Sequence, residues 1–307
     1  MALMLTATWI IPCSAGNEDG LTARFIMGEA LRRHELFPHV FEEQTLILID
    51  RAGRRDIREV RRFSSRAMDG SVRFLMTFEN PPEIRGVAVL AVEDARGERS
   101  ARLYLPAYGK RLLTLHGEGG DFLGTDFSIA DLIPERLSEH RYERREDQKI
   151  GDVYCFVVDA FPVASETEEG PGLGFRRHTI RKDIFFIIRT DYYDRRHRLI
   201  KTLSRHDLKR LGKEMWRPNM ILMKNRRHLH QTLIKIHRRI FSQAYVPAEI
   251  FTSAWLLNNR HLTWPDRRLF RQTAGLGEDS SGSGTAQEHP DAEPVPAPDA
   301  SAGEMEP

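Results

Sequence analysis

Cysteine is scarce in this chain: among 307 residues only Cys13 and Cys155 carry a thiol. Two cysteines cannot build a disulfide framework, and neither belongs to a CxxC or Cys/His cluster, so a structural zinc site is excluded as well. Long apolar runs are missing too. The one apolar stretch at the N-terminus, MALMLTATWIIPCSA, is shorter than the ~20 residues a membrane-spanning helix needs. The phosphate-cradling patterns GxGxxG and GxxxxGK[ST] are absent, and the glycines of Gly170–Gly174 form a turn-rich loop instead. GxSxG and HExxH are absent as well, which leaves no recognisable nucleophile elbow or zincin site. Basic residues are lacking at the C-terminal end. From Thr273 to the end there is no Lys or Arg, but there are acids at 278, 279, 288, 291, 293, 299, 304 and 306.

What is present is an ordinary globular composition, 40% hydrophobic and 29% charged, with ample length for a sizeable core. The formal charge of +2 conceals an asymmetry. Once the eight acids of the tail are set aside, the body carries 46 basic against 36 acidic residues, a surplus of ten. A basic body points to an anionic partner, and equally to a solvated charged surface. Residues 1–15 end in Cys13-Ser14-Ala15, the small-x-small form of a secretory cleavage site, although no basic residue precedes the apolar run. We expect a cleaved export signal over 1–15, with the true start upstream of Met1 as one explanation for the missing basic segment. Lipidation at Cys13 is the alternative, which Pro12 disfavours.

The rest of the chain changes period. Leu21–Leu36 places Leu21, Phe25, Ile26, Ala30 and Leu31 at helical spacing. Alternation of period two follows at Glu42–Asp50, Ser71–Glu79, Gly86–Glu93, Ala101–Pro106 and Lys110–Leu115. Asp152–Phe161 reads as a strand buried on both faces, and Thr179–Tyr193, Leu199–Leu208, Trp216–Lys224 and Leu229–Arg239 as further strands. Helical turns are expected at Ile129–Leu137 and Ala248–Leu257. The fold class is therefore mainly β (α+β), with one large antiparallel sheet or open barrel over 16–272. The Pro/Gly/Ser-rich acidic tail, 273–307, is expected to be disordered.

Four blocks carry a family resemblance that extends over roughly Ile57–Leu257. They are Leu103-Tyr104-Leu105-Pro106 with Gly109-Lys110-Arg111, Phe122-Leu123-Gly124-Thr125-Asp126-Phe127-Ser128 with Asp131-Leu132, Tyr192-Tyr193-Asp194 with Leu199-Ile200-Lys201-Thr202-Leu203, and Val246-Pro247 with Ile250-Phe251-Thr252. In that order the blocks resemble the LolA-like outer membrane lipoprotein-sorting proteins. The resemblance implies a strongly curved antiparallel sheet forming an incomplete barrel, with helices covering its concave face. It also implies a non-enzymatic periplasmic carrier, without cofactor, that shelters the acyl chains of a lipid or lipoprotein. A second possibility is an accessory or lipid-sensing subunit of an RND-type envelope exporter that does not shuttle. The chain departs from the usual carrier in its length, its acidic tail and its basic second half, so the cargo stays open.

Candidate cavity residues lie on the apolar faces of the strands: Phe74, Met76, Phe78, Val87, Val89, Leu103 and Leu105, joined by Phe122 and Phe127 from the second block. The competing reading is that they fill a closed core. Residues Gly117, Gly119, Gly120 and Gly124 allow that block to act as a lid; Asp121 and Asp126 equally suit a fixed, capped loop. Arg195–Arg239 holds fifteen Lys and Arg against Asp207 and Glu214. We expect many of these, including Arg205, Lys209, Arg226, Arg227 and Arg238, on one outer face that docks to an inner-membrane transporter or an anionic membrane surface. No nucleic-acid partner is expected, because no groove-reading motif is present. His228 and His230 share a strand face, and without a nearby carboxylate or thiol in sequence they read as a surface pair, with no metal site.

Overall fold

A computed structural model gives the architecture and describes residues 19–35, 37–108, 111–115, 121–163 and 173–266. The segment 1–15 expected as an export signal, Cys13 within it, the glycines 117–120, most of the Gly170–Gly174 loop and the acidic tail lie outside these residues. Helix α1 (Ala23–Arg33) begins at Thr22, whose hydroxyl accepts the backbone N–H of Phe25. Arg32 and Arg33 occupy its last turn, where positive charge suits the helix dipole.

Thirteen strands follow: β1 (His39–Ile49), β2 (Arg55–Arg66), β3 (Val72–Asn80), β4 (Ala88–Glu93), β5 (Arg99–Leu105), β6 (Arg111–Leu115), β7 (His140–Ile150), β8 (Val153–Pro162), β9 (Leu173–Arg181), β10 (Ile187–Asp194), β11 (Leu199–Arg210), β12 (Trp216–Asn225) and β13 (His230–Ile240). The short helix α2 (Ser253–Leu257) comes last. All strands belong to one antiparallel sheet of order β6-β5-β4-β3-β2-β1-β13-β12-β11-β10-β9-β8-β7. The segment expected as one strand over Thr179–Tyr193 is two, β9 and β10, joined by a turn at 182–186. Strands β2 and β7 went unread because arginines and acids, not an apolar period, dominate them. The expected helical turns at Ile129–Leu137 are two 3-10 turns, Ile129–Asp131 and Leu137–Glu139.

The order has a topological consequence. Strands β1 and β13 pair at the centre, and the two halves of the chain spread outward from that seam. Strands β6 and β7, consecutive in sequence, therefore end up as the two edges, each with one neighbour, and the barrel stays open. The connection between them must travel from one edge to the other. It does so across the inner face, where Phe122, Phe127, Ile129 and Ile133 join a core cluster with Leu46, Val60, Phe74, Met76, Tyr192, Leu203, Met223 and Ile234. One cluster thus draws on strands from β5 across the sheet to β10, which requires the sheet to bend around the connection.

Helix α1 covers a second stretch of the same inner face. Ile26 and Met27 pack on Phe156, Val158 and Ile180 of β8 and β9. The outer face of β1–β5 is covered by 241–265: Tyr245 packs on Phe41, Tyr104 donates to Asn259 (2.7 Å), and His261 meets the carbonyl of Gly86 (2.9 Å). This second cover explains why Leu75, Thr77 and Leu90 are buried as well as Phe74, Met76 and Phe78. The clean alternation of β3 in sequence hides a strand that packs on both sides.

Phe78 is fully buried in this core, whereas Phe25 on α1 is 49% exposed. Phe78→Ala is expected to cost about 3–5 kcal/mol in urea unfolding. Phe25→Ala should stay within about 0.5 kcal/mol.

Candidate functional site

The segment 121–133 is tied down on several sides, as a fixed plug and not as a free lid. The carboxylate of Asp126 meets His230 Nδ1 and Thr232 Oγ1 at 2.8 Å each. Its backbone carbonyl accepts from Lys201 Nζ (2.8 Å), and Lys201 also pairs with Asp121. Arg58 donates to the carbonyl of Leu123 (2.6 Å), and Tyr192 donates to Asp131 (2.7 Å). His230 therefore belongs to the plug latch. Sequence proximity could not show its partner, because Asp126 lies 104 positions away.

The plug leaves a cavity of about 720 Å³ between itself, α1 and the inner sheet face. That volume is within the ~300–1,000 Å³ of sites that bury a small organic ligand. Its wall is amphipathic by construction. Along five neighbouring strands the inward side chains change from apolar to charged in one direction: Val60 to Arg62 on β2, Leu46 to Gln44 and Glu42 on β1, Ile236 to Arg239 on β13, Ile221 to Arg217 on β12, and Leu203 to Arg205 on β11. The apolar part of the wall includes Met76, Phe127, Ile221, Ile234 and Ile236; exposed Arg32, Glu35 and Asp69 stand at its rim.

Two buried polar clusters form the charged part. In the first, Glu42 accepts from Arg62 Nη1 (2.8 Å), Arg239 Nε (2.6 Å) and Gln44 Nε2 (2.7 Å). Burial pushes its carboxyl up, but the two guanidinium groups push it down further, and it lies below the ordinary carboxylate value. Among the described residues Arg217, beside them, donates only to the backbone carbonyls of Trp216 (3.0 Å) and Glu35 (2.6 Å). Burial, and then the like charge of Arg239, pull Arg217 down to about 10.

In the second cluster, Glu135 accepts from Tyr142 (2.9 Å) and Arg176 (3.3 Å), with His140 at 3.2 Å and His178 at 3.6 Å. Burial raises the Glu135 carboxyl, while His178, His140 and Arg176 outweigh it and hold the group low. Burial pulls His178 down to about 4 against the attraction of Glu135.

The nine apolar candidates all fall in or against the one apolar cluster. Only Met76 and Phe127 line the cavity. Phe74, Phe78, Val87, Val89, Leu103, Leu105 and Phe122 pack against other protein side chains in that cluster. The five basic candidates do not share one face. Arg205 lies inside, on the cavity wall, and donates to the carbonyl of Ile187 (3.2 Å). Arg226 and Arg227 are exposed in the β12–β13 turn, Lys209 is exposed beside Asp207 (3.0 Å), and Arg238 is exposed near Glu43 (3.5 Å). Inward Arg62, Glu42, Gln44, Arg217 and Arg239 were not anticipated, because charged residues on an alternating strand read as solvent-facing. Among the described residues no three His, Cys, Asp or Glu side chains form a metal-binding group.

The chain is thus an open antiparallel half-barrel, plugged across its hollow and keeping an amphipathic cavity there. A model of a family described as "Uncharacterized protein" matches residues 70–258, more than half of the chain, and the chain belongs to that family. Among solved structures, an outer membrane lipoprotein-sorting protein domain from Vibrio parahaemolyticus superposes with a TM-score of 0.70 at 24% identity, over 76% of this chain and 98% of the other. A DUF1329 family protein from Desulfovibrio piger gives 0.65 at 19% identity, over 75% and 99%. A LolA superfamily protein from Nitrosomonas europaea gives 0.59 at 14% identity, over 76% and 99%. The fold is thus that of the LolA-like lipoprotein-sorting proteins. A search of curated proteins finds no match.

The neutral, buried His178 sets a pH dependence. In the unfolded chain it titrates near 6.5, and in the fold near 4. Its folded value is depressed, so protons bind the unfolded chain first, and stability falls as pH drops through that window. Its surroundings, Glu135, His140, Arg176 and Arg205, stay with it in the fold. Urea midpoints should fall between pH 7 and pH 5 in the wild type, and fall less in His178→Gln.

Proposed function

We propose that the chain shelters the acyl chain of a lipid or lipoprotein in the cavity between plug, α1 and sheet, and carries it between membranes of the envelope. The observation that carries this reading is the cavity of about 720 Å³ with an apolar wall of Met76, Phe127, Ile221, Ile234 and Ile236, left open inside an otherwise packed hollow. Hydrocarbon placed there leaves water at about 0.8 kcal/mol per methylene. The LolA-like fold supports the reading, since proteins of this shape include one described as an outer membrane lipoprotein-sorting domain. Among the described residues no helix is long and apolar enough to cross a membrane. Export to the periplasm, with residues 1–15 as the signal, belongs to the same proposal, as does docking of exposed Arg226 and Arg227 to a transporter or an anionic membrane surface.

The test is native mass spectrometry of protein purified from membranes, followed by uptake of fluorescent fatty-acyl probes. Acyl lipid or lipoprotein should co-purify, and Ile221→Trp, which fills the cavity, should lower probe uptake at least about tenfold while the melting temperature changes little. A wild-type protein that arrives empty and takes up no probe would overturn the reading. Probe that binds but never passes from donor to acceptor vesicles would favour an accessory or sensing role over carriage.

A further inference from the structure

The two polar clusters of the cavity differ in charge balance. Around Asp131 and Glu135 stand Arg176 and Arg205, two carboxylates for two guanidiniums. Around Glu42 stand three guanidiniums, those of Arg62, Arg217 and Arg239, and among the described residues Glu42 is the only carboxylate that any of them bridges. Other nearby carboxylates are engaged elsewhere: Glu35 with Arg66 (2.5 Å), and Glu93 with Arg99 and Arg136 (2.6 Å each). The side chains of Glu42 and Arg239 are 5% and 9% exposed, that of Arg62 is 21% exposed and Arg217 is half-buried, so bulk water screens this surplus less than it would at the surface. Buried charge without a counter-charge is costly unless something anionic joins it.

The surplus is also correctly placed. It stands at the charged end of the same wall whose other end is Ile221 and Ile234. An amphiphile lying along the wall would put its tail on the isoleucines and its head among the arginines. Guanidinium groups match oxyanions in both geometry and charge. Next to them, Gln44 Oε1 is buried without a partner, an acceptor open to a hydroxyl on such a head.

We propose that Arg62, Arg217 and Arg239 form a headgroup site for an oxyanion, so that the acyl-bearing ligand is an anionic amphiphile and not a neutral lipid. This rests on the acyl-binding reading above. Arg217 is the specificity-determining member, because it bridges no carboxylate, whereas Arg62 and Arg239 are both held by Glu42.

Three probes with the same dodecanoyl chain test it: lauroyl-lysophosphatidylglycerol, laurate and monolaurin, titrated into the full-length protein after delipidation. The wild type should bind at least one anionic probe about tenfold more tightly than monolaurin, or about 1.4 kcal/mol. Preference for the lysophospholipid identifies a lipid phosphate as the head, and preference for laurate a fatty carboxylate. Arg217→Gln, which keeps a donor for the Glu35 carbonyl, should remove most of the preference while monolaurin binding stays within about twofold. Arg217→Lys should restore part of it. If Arg217→Gln melts early, Arg62→Gln reads the same preference. Equal affinity of the wild type for all three probes, or a preference that survives both Gln variants, overturns the headgroup site and leaves acyl binding intact. Binding of none of the three overturns acyl binding, and the headgroup site with it.

Discussion

One constraint organises the molecule: strands consecutive in the chain, β6 and β7, stand at opposite edges of a thirteen-stranded sheet. Their connection has a long way to go, and it crosses on the apolar inner face. Taking that route brings Phe122, Phe127, Ile129 and Ile133 to the centre of the curve, where the aromatic and aliphatic residues of β1–β5 and β10–β13 converge on them. The bend of the sheet, the plug and the cavity are three results of one chain path.

A second theme is how much charge the fold takes inward. Arg58, Arg62, Lys201, Arg205, Arg217 and Arg239 all point toward the plug or the cavity. Some of them build: Arg58 and Lys201 hold backbone carbonyls of the plug. Others decorate the wall of a space. Glu42 and Glu135 keep their negative charge despite burial because cations crowd them. Polarity inside this protein is therefore arranged in bands along the strands, and the cavity lies across the boundary.

The sheet was legible wherever one face was apolar. Strands β3, β4, β5 and β13 announced themselves by alternation, and the aromatic block 122–128 by its resemblance to a family signature. The limits have a common physical cause. Alternation tells which residues share a face, and it assigns the charged face to solvent by default. In β2 and β7 that default hid whole strands, since Arg62 pairs with Glu42 on the next strand and Arg145 with Asp159. In β11 it sent Arg205 outward when it lies within. The partners of these residues lie on neighbouring strands 14 to 20 positions away, and which strands are neighbours is what a period cannot report. The apolar candidates had the complementary difficulty: Phe78 and Met76 are indistinguishable in pattern, yet only the latter reaches the cavity.

The seam between β1 and β13 has an implication for the order of events in synthesis. Each wing is a ladder of neighbouring hairpins that can zip as the chain emerges, but Phe41 meets Ile240 only after about two hundred intervening residues. Closing so large a loop is entropically demanding and slow relative to local pairing. The arginine trio spans the seam, with Arg62 on one wing and Arg217 and Arg239 on the other, so a nascent or truncated polypeptide has no such pocket to offer until its final strand docks.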